Sequence, residues 1–224
     1  MMPPPVTTSP GLITGQRLTV DEFLRRWEEL PDLKHAELID GVVYLPSPLS
    51  REHGRRDRRI VSWLAQYEDA TPGCESAIGS TWLMLGSAPQ PDSYLRILPA
   101  YGGQSVDKGL YCAGAPELAV EISGSSIEID LGPKLELYQR AGVREYITVE
   151  IAGQRITWRV LEGGVYATQA VPPDGILRSH VFPGLWLDVA AFWADDAARL
   201  RAALEAGLAS GAHHLFVERL AKAK

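Results

Sequence analysis

The sequence predicts an α/β protein, a mixed β-sheet with flanking helices and a helical C-terminal tail. Three observations favour this class: short β-rich runs alternate with helical patterns, turn residues separate them, and helical signals dominate from Val189 to the end. The sequence contains no internal repeat. The predicted organisation is a flexible arm over residues 1–16, rich in Pro, Thr and Gly, one α/β domain over residues 17–193, and a helical tail over residues 194–224.

The first part of the domain predicts two helices with a hairpin between them. Thr19 and Glu22 form a capping box, and apolar residues follow at helical spacing up to Pro31. In AELIDGVVYL, two apolar runs flank Asp40-Gly41, which is the strongest short signal of a β-hairpin. Residues 50–68 then predict a second helix.

The later part predicts most of the sheet. STWLML and DSYLRIL predict strands, and a Gly-rich loop leads into the strand LAVEIS. Asp130 is placed to cap a helix that ends near Ala141, with Pro133 tolerated in its first turn. REYITVEI and RITWRVLE predict two further strands, and residues 165–171 predict a pair of short ones.

Composition limits the class of protein. The 224 residues are 46% hydrophobic and 22% charged, with a formal net charge of −6. These values are ordinary for a globular protein, and the negative charge argues against coating nucleic acid by bulk electrostatics. No apolar run reaches the roughly eighteen residues of a membrane span, and the N-terminus lacks the basic start and apolar run of a signal peptide. Cys74 and Cys112 form neither a C-x-x-C pair nor a disulfide framework, so we expect a cytoplasmic protein with no membrane partner.

Glu121 is the most informative residue because it lies inside an apolar strand. An isolated carboxylate in a low-dielectric interior is costly, so it takes up a proton or finds a cation. Glu37 and Asp92 also lie on or beside predicted strands. Glu37 alone could belong to the exposed side of a hairpin, since it alternates with Ile39, and Pro91-Asp92 alone could be a turn.

Carboxylates that are brought together need a partner. At roughly 4 Å and an effective dielectric of about 20, two like charges repel by about 4 kcal/mol. Either one of them holds a proton or a divalent cation lies between them. Oxygen ligands without His or Cys suit Mg²⁺ or Mn²⁺ rather than zinc. Such an ion can polarise a phosphodiester and deliver a hydroxide, which is the chemistry of a nuclease.

The order of several short motifs resembles a nuclease family. Pro91-Asp92, a loop, and then Glu121-Ile122-Ser123 on an apolar strand are similar to the PD-(D/E)xK nuclease superfamily, and more closely to the Uma-type family of putative restriction endonucleases. The similarity extends over about residues 18–193. It further includes E-L-I-D-G (Glu37 to Gly41), P-S-P (Pro46 to Pro48), His53, A-P-E-L-A-V-E-I-S (Ala115 to Ser123), Asp130, Lys134, Tyr138, G-V-R-E-Y (Gly142 to Tyr146) and F-P-G-L-W-L-D (Phe182 to Asp188).

The resemblance implies a restriction-endonuclease-like fold whose Asp92 and Glu121 bind Mg²⁺ or Mn²⁺. The backbone carbonyl of Ile122 is the implied third ligand, and Glu37 completes the acidic cluster.

One position departs from the superfamily signature, which has a lysine where this chain has Ser123. The Uma-type pattern resembles one in which the lysine has moved to the following helix. Lys134 is then the candidate cation, one turn before Tyr138 on the same helix face. The alternative for Lys134 is a solvated lysine on an amphipathic helix, and Asp130 is predicted to be a helix cap rather than a ligand.

The helix predicted over residues 50–68 carries a row of arginines. Arg51, Arg55 and Arg58 share one face, which could bind nucleic-acid phosphates or equally be a solvated surface. His53 lies on the core-facing side, which in the family points toward the acidic cluster. It could orient a carboxylate or the substrate, and a structural histidine is the alternative.

These observations predict a metal-dependent endonuclease that hydrolyses DNA, with Lys134, Glu37, Asp92 and Glu121 as catalytic residues. RNA is the alternative substrate. The rival function is a catalytically weak or inactive nuclease-fold module for nucleic-acid binding or assembly, which Ser123 and the negative net charge favour.

We also expect a homodimer, because cutting two antiparallel strands calls for two sites related by a two-fold axis. Apolar residues of the tail could build its interface or pack back on the domain. They are Leu200, Leu204, Leu208, Phe216, Val217 and Leu220.

Overall fold

The computed structural model describes residues 11–223. None of the helices described is long and apolar enough to cross a membrane. In chain order the helices are α1 (Val20–Glu28), α2 (Arg51–Asp69), α3 (Ile127–Asp130), α4 (Pro133–Ala141), α5 (Val189–Trp193), α6 (Ala197–Leu208) and α7 (Gly211–Ala223). The strands are β1 (Glu37–Ile39), β2 (Val42–Tyr44), β3 (Cys74–Ile78), β4 (Trp82–Leu83), β5 (Ser93–Ile97), β6 (Val106–Lys108), β7 (Tyr111–Ala113), β8 (Leu118–Ser123), β9 (Glu145–Glu150), β10 (Arg155–Glu162), β11 (Val165–Thr168), β12 (Ile176–Arg178) and β13 (Trp186–Asp188).

A six-stranded sheet with the order β11-β10-β9-β8-β5-β3 forms the centre of the fold. β8 and β9 are parallel, and the other neighbouring strands of this sheet are antiparallel. Parallel neighbours need a crossover connection, and α3 and α4 lie in the one that joins β8 to β9. The predicted mixed sheet with flanking helices is confirmed.

The two faces of β8 carry different side chains, because successive residues of a strand point to opposite faces. Leu118, Val120 and Ile122 join the larger hydrophobic core, to which α2 and the C-terminal helices also contribute. Ala119 belongs to a second core on the other face, together with residues of α4. Glu121 follows Ala119 by two positions and therefore lies on the α4 face of the sheet.

α1 and the β1–β2 hairpin share a third, smaller core. The Thr19 hydroxyl caps α1 by accepting a hydrogen bond from the N–H of Glu22 at 3.3 Å, as the capping box predicts. Asp40 and Gly41 join β1 to β2 with φ angles of 49° and 76°. Positive φ at both central residues is the requirement of a type I′ turn, so the predicted hairpin is confirmed and carries Glu37 at its start.

Residues 11–16 differ from the flexible arm that the sequence predicts. Leu12 is buried in the third core. The N–H of Gly15 donates to the carbonyl oxygen of Val43 at 2.8 Å, and the N–H of Val43 donates to that of Gln16 at 2.8 Å. The segment therefore pairs with β2, which satisfies its backbone polar groups. The rest of the predicted arm, residues 1–10, lies outside the described residues.

Several short strands were not predicted from the sequence. β6 and β7 form within the predicted Gly-rich loop and make a three-stranded sheet with β4. β3, β12 and β13 were also missed, and of the two strands expected over residues 165–171 only β11 forms. Strands of this length depend on tertiary contacts more than on local propensity, so periodicity alone detects them poorly.

Asp130 is not the helix cap that the sequence predicts. It ends α3, and α4 begins separately at Pro133 after Gly132. The Asp130 carboxylate accepts a hydrogen bond from the Ser126 hydroxyl at 2.6 Å, within α3 itself. A Cβ at Gly132 would lie 2.7 Å from the carbonyl oxygen of Glu128, so the break between the two helices requires glycine.

The C-terminal tail is helical, as predicted, and packs on its own domain. Side chains of α6 and α7 join the larger core, and the Phe216 ring meets that of Phe182 edge-on at a centroid distance of 6.3 Å. Gly207 of α6 lies so close to Gly184 that a Cβ on Gly207 would be 2.2 Å from the Gly184 carbonyl oxygen. Of the six apolar tail residues named from the sequence, four are buried and confirm the alternative of packing back on the domain: Leu200, Leu204, Phe216 and Leu220.

Candidate active site

A cavity of about 540 Å³ lies beside the carboxyl-terminal half of β8. The first turns of α2, the β1–β2 hairpin and the α3–α4 region form its walls. The carboxyl ends of parallel strands are the usual place for ligands in α/β sheets. The acidic and basic side chains among the described residues that line the cavity are those of His35, Glu37, His53, Asp57, Asp92, Glu121, Asp130 and Lys134.

Strand register brings Asp92 next to Glu121. β5 and β8 pair with Ser93 opposite Val120, so one further step of the antiparallel register puts Asp92 opposite Glu121. Oδ2 of Asp92 accepts the N–H of Ile122 at 2.7 Å. Since the N–H and C=O of one strand residue point to the same side, the Ile122 carbonyl also faces the Asp92 side of β8. The three predicted metal ligands therefore lie together.

Glu121 is 2% exposed and is held by α4. Its Oε1 accepts hydrogen bonds from Nζ of Lys134 at 3.0 Å and from the Tyr138 hydroxyl at 2.9 Å. Lys134 and Tyr138 are four residues apart, so both donors project from one face of the helix. The cation expected against Glu121 is thus supplied by the protein, and the alternative of a solvated Lys134 is wrong, because that residue is 4% exposed.

Lys134 also reaches the hairpin. Its Nζ lies 2.9 Å from Oε1 of Glu37 and 4.0 Å from Oδ1 of Asp130. The same oxygen of Glu37 accepts the N–H of Gln90 at 2.6 Å. Glu37 is therefore turned into the cavity, and its interpretation as a solvent-facing hairpin residue is wrong.

The acids of the cavity perturb one another. Burial raises the pKa of Glu121 well above its usual value and raises the pKa of Glu37 and of Asp130, while the charge of Lys134 opposes each rise. Burial alone would lower the pKa of Lys134, but the charges of Glu121, Glu37 and Asp130 outweigh it and raise that pKa well above its usual value. One ammonium faces five carboxyl groups. The excess of negative charge calls for bound protons or for a further cation.

Two residues of α2 approach Asp92, and only one of them was singled out from the sequence. Nε2 of His53 lies 3.8 Å from Oδ1 of Asp92. Asp57, one turn further along α2, lines the same cavity, and burial together with the charge of Asp92 raises its pKa to about 6. Oδ1 of Asp57 has no hydrogen-bond partner among the described residues. The i, i+4 spacing of His53 and Asp57 on the core-facing side of the helix was the signal that could have identified Asp57.

Ser123 is 1% exposed and follows Glu121 by two positions, so its side chain lies on the same face of the sheet. Its hydroxyl makes no hydrogen bond within the described residues, but it lies near enough to Asp130 to oppose slightly the rise that burial causes in the pKa of that carboxyl group. Asp130, predicted only as a cap, is therefore a member of the site.

The arginine row of α2 lies away from this cavity. Arg51, Arg55 and Arg58 are exposed, whereas His53 and Asp57, on roughly the opposite side of the helix, line the cavity. Arg55 donates to Glu52 at 2.9 Å and pairs with Asp195 beyond α5. Phosphate binding by Arg51 and Arg58 stays a prediction, and the position of the row favours the alternative of a solvated surface.

The donor set suits a hard divalent cation by its chemistry. Carboxylate and carbonyl oxygens of Asp92, Glu121 and Ile122 are the ligands that Mg²⁺ and Mn²⁺ prefer, and the excess negative charge would be relieved by such an ion. Within residues 11–223, no three side chains of His, Cys, Asp or Glu are grouped closely enough to hold a metal ion. The predicted set needs only two such side chains and one backbone carbonyl. Nζ of Lys134 contacts one oxygen of Glu37 and one of Glu121, so the ammonium occupies the point on which these two carboxylates converge.

The mixed sheet, the helical crossover after β8 and the acidic cavity define a protein with a restriction-endonuclease-like nuclease fold. One solved structure, that of "a putative nuclease belonging to DUF820 from Anabaena variabilis ATCC 29413", matches with a TM-score of 0.62 and 14% identity, over 79% of this chain and 98% of its own. The profile of the Uma2 family, described as "Putative restriction endonuclease", matches residues 20–190. The chain belongs to this family, which confirms the resemblance. No curated protein matches this sequence.

Proposed function

We propose that this protein is a metal-dependent endonuclease that hydrolyses the phosphodiester bonds of DNA. The family match and the fold support a nuclease, and the metal ion and the DNA substrate are inferences from the site. One observation carries the proposal. Asp92 and Glu121 lie side by side in a buried, strongly acidic cavity, with the backbone of Ile122 between them and a lysine against Glu121.

Asp92, Glu121 and the carbonyl oxygen of Ile122 would hold Mg²⁺ or Mn²⁺, with Glu37 as an additional carboxylate. When bound, such an ion polarises the scissile phosphate and makes a hydroxide available at neutral pH.

The protein's own groups supply charge and position. The raised pKa of Lys134 keeps its side chain charged, and an ammonium at the floor of the cavity stabilises the negative charge that develops on the phosphate. Tyr138 fixes the carboxylate of Glu121, and the N–H of Ile122 fixes that of Asp92. His53 lies beside Asp92 and is a positioning residue for that carboxylate.

The test is a substrate panel: supercoiled, linear and single-stranded DNA and RNA, each with Mg²⁺, Mn²⁺ or EDTA. We expect DNA to be cut with either metal and to stay intact with EDTA. Asp92→Asn keeps an oxygen to accept the Ile122 N–H but loses the charge, so it should stay folded and lose both cleavage and the calorimetric heat of Mn²⁺ binding. Asp69→Asn, at the exposed end of α2, is the matched control. Cleavage by Asp92→Asn at the wild-type rate, or of RNA alone, contradicts the proposal.

A second function is favoured by one feature of the same site. The ammonium of Lys134 already neutralises charge on Glu37 and Glu121, and Ser123 stands where the superfamily signature has a lysine. A nuclease-fold module that binds nucleic acid or assembles without cutting it would have such a self-sufficient site. Calorimetry separates the two functions, because the enzyme binds Mn²⁺ whereas the module gives no heat of binding and cuts no substrate.

A further inference from the structure

We infer that the cavity admits an unpaired DNA strand rather than a duplex, one nucleotide entering between apolar side chains at its mouth. This inference rests on the proposed function and specifies the form of its substrate. The depth of the acids, the walls of the cavity and the position of the cations support it.

The reactive groups lie at the floor of the cavity. Glu121, Lys134 and Asp130 are 2%, 4% and 1% exposed. A phosphodiester must come within roughly hydrogen-bond distance, about 3 Å, of groups that solvent hardly reaches. A volume of about 540 Å³ falls in the range of small-molecule sites. A cavity of this size accommodates a nucleotide. A duplex holds its phosphates on a rigid convex surface, so it would first have to extrude a nucleotide from the base stack.

The mouth of the cavity carries apolar side chains that phosphate binding does not need. Leu49 and Ile78 line the cavity and are 71% and 57% exposed. We call these two residues the apolar mouth. Tyr44, Leu45 and Ile129 also line the cavity and are less exposed. An unpaired base can pack its faces against apolar side chains, while a duplex keeps its bases stacked inside.

The cations of this region are placed poorly for a duplex. Duplex binding uses Lys and Arg side chains along the phosphates of both strands. Among the described residues that line the cavity, Lys134 is the only Lys or Arg, and it is paired with Glu37 and Glu121. The arginine row lies on the far side of α2 from the cavity-lining residues of that helix. A single strand also needs only one site, so this form of substrate does not require the homodimer that a double-strand cut would.

Fluorescence anisotropy tests the inference without depending on turnover. The probes are a short fluorescein-labelled DNA strand and the duplex of the same sequence, each titrated with the full chain in Ca²⁺, which takes the same oxygen ligands. We expect the single strand to bind at least about 10-fold more tightly than the duplex. Replacing the apolar mouth in the double variant Leu49→Ser and Ile78→Ser should weaken single-strand binding by about 10-fold, because the apolar surface that a bound base would cover is lost.

The control is Leu110→Ser, which alters a leucine that is 94% exposed and does not line the cavity. It should bind both probes as the wild type does. All three substituted side chains are largely exposed, so thermal melting should show an intact fold for both variants. Duplex binding equal to or tighter than single-strand binding overturns the inference, and so does no binding of the single strand or an equal loss with Leu110→Ser. If the proposed function fails instead, the single strand binds with the expected preference and no metal yields cleavage in the substrate panel.

Discussion

Lys134 and Glu121 form an ion pair with an N···O distance of 3.0 Å, in which both side chains are almost wholly buried, at 5% and 3% exposure. Desolvation of two charges costs as much as their attraction returns, so such a pair is a poor device for stability alone. It also lies at the floor of the acidic cavity. The pair therefore positions a charge where a reaction could use it.

Removing the ammonium should separate catalysis from metal binding. Lys134→Ala is expected to lower the single-turnover cleavage rate by roughly 100-fold or more, because one preorganised electrostatic group is lost. Mn²⁺ affinity should not fall, since an ammonium is no ligand. Lys134→Arg should rescue cleavage poorly, because a planar guanidinium does not reproduce a compact charge among Glu37, Glu121 and Asp130. The exposed Lys222→Ala is the control. Normal cleavage by Lys134→Ala, with a defect in Ser123→Ala instead, would assign the role to the serine.

Asp57 should tune the metal site through Asp92. Its charge adds to the negative potential at Asp92, so Asp57→Asn is expected to weaken Mn²⁺ binding by about 10-fold, the scale of losing a neighbour of a ligand. Isothermal titration calorimetry measures the effect. Asp69→Asn makes the same chemical change at the exposed end of α2 and should leave the affinity unchanged. An unaltered affinity in Asp57→Asn would separate Asp57 from the site.

The arginine row can be assigned by the salt dependence of DNA binding. We expect the double variant Arg51→Ala and Arg58→Ala to keep the wild-type slope of log affinity against log salt, because this face of α2 points away from the cavity. Two lost phosphate contacts would instead reduce the slope by about 1.4 for a single strand, and that result would establish the row as a binding surface. Arg55→Ala is expected to cost stability, since Arg55 pairs with Glu52 and Asp195.

Glu145 should give the folded protein a measurable pH dependence. Burial raises its pKa to about 7 from the ordinary 4.5, although it accepts hydrogen bonds from Ser179 and His180. Between these two values the folded state binds more protons than the unfolded state, so the free energy of unfolding falls as pH rises from 4.5 to 7. The fall is on the order of 3 kcal/mol, since a difference of one between two pKa values corresponds to about 1.36 kcal/mol.

Urea denaturation at successive pH values measures this contribution. Glu145→Gln cannot ionise, so its profile should be flatter than that of the wild type between pH 4.5 and 7. Glu136→Gln, at an exposed position of α4, should keep the wild-type profile. A Glu145→Gln profile parallel to the wild type would mean that folding does not raise the pKa of this carboxyl group.

Much of the fold could be predicted because its signals are local. The Thr19 cap, the Asp40-Gly41 turn and the long apolar strands around β8 to β10 each follow from neighbouring residues. Asp130 was misassigned because a break at Gly132 depends on a close approach to the Glu128 carbonyl, which spacing does not reveal. β3 was missed because its sequence, CESAI, owes its place to pairing with β5 and not to hydrophobic periodicity.

The members of the site that could be predicted are those whose residue type and sequence context indicate a role. A carboxylate inside an apolar strand demands a partner, which identified Glu121, and the family resemblance supplied Asp92, Glu37 and Lys134. To predict Asp57 as a site residue, one would have to know which side of α2 faces the end of the sheet. Lys134 bridges Glu37 and Glu121 because the hairpin packs against α4. No local sequence pattern indicates that packing, so the bridge could not be predicted.

The close packing of the C-terminal tail has a practical consequence for producing the protein. A shortened protein ending at residue 193 would uncover the apolar surfaces that α6 and α7 bury, including that of Phe182 against Phe216. Exposed patches of this kind promote aggregation in the expression host. Because Gly207 abuts Gly184, even a methyl group there would push the tail outward. Purification tags should therefore follow α7 through a flexible linker, and the tail should be expressed together with the sheet that it covers.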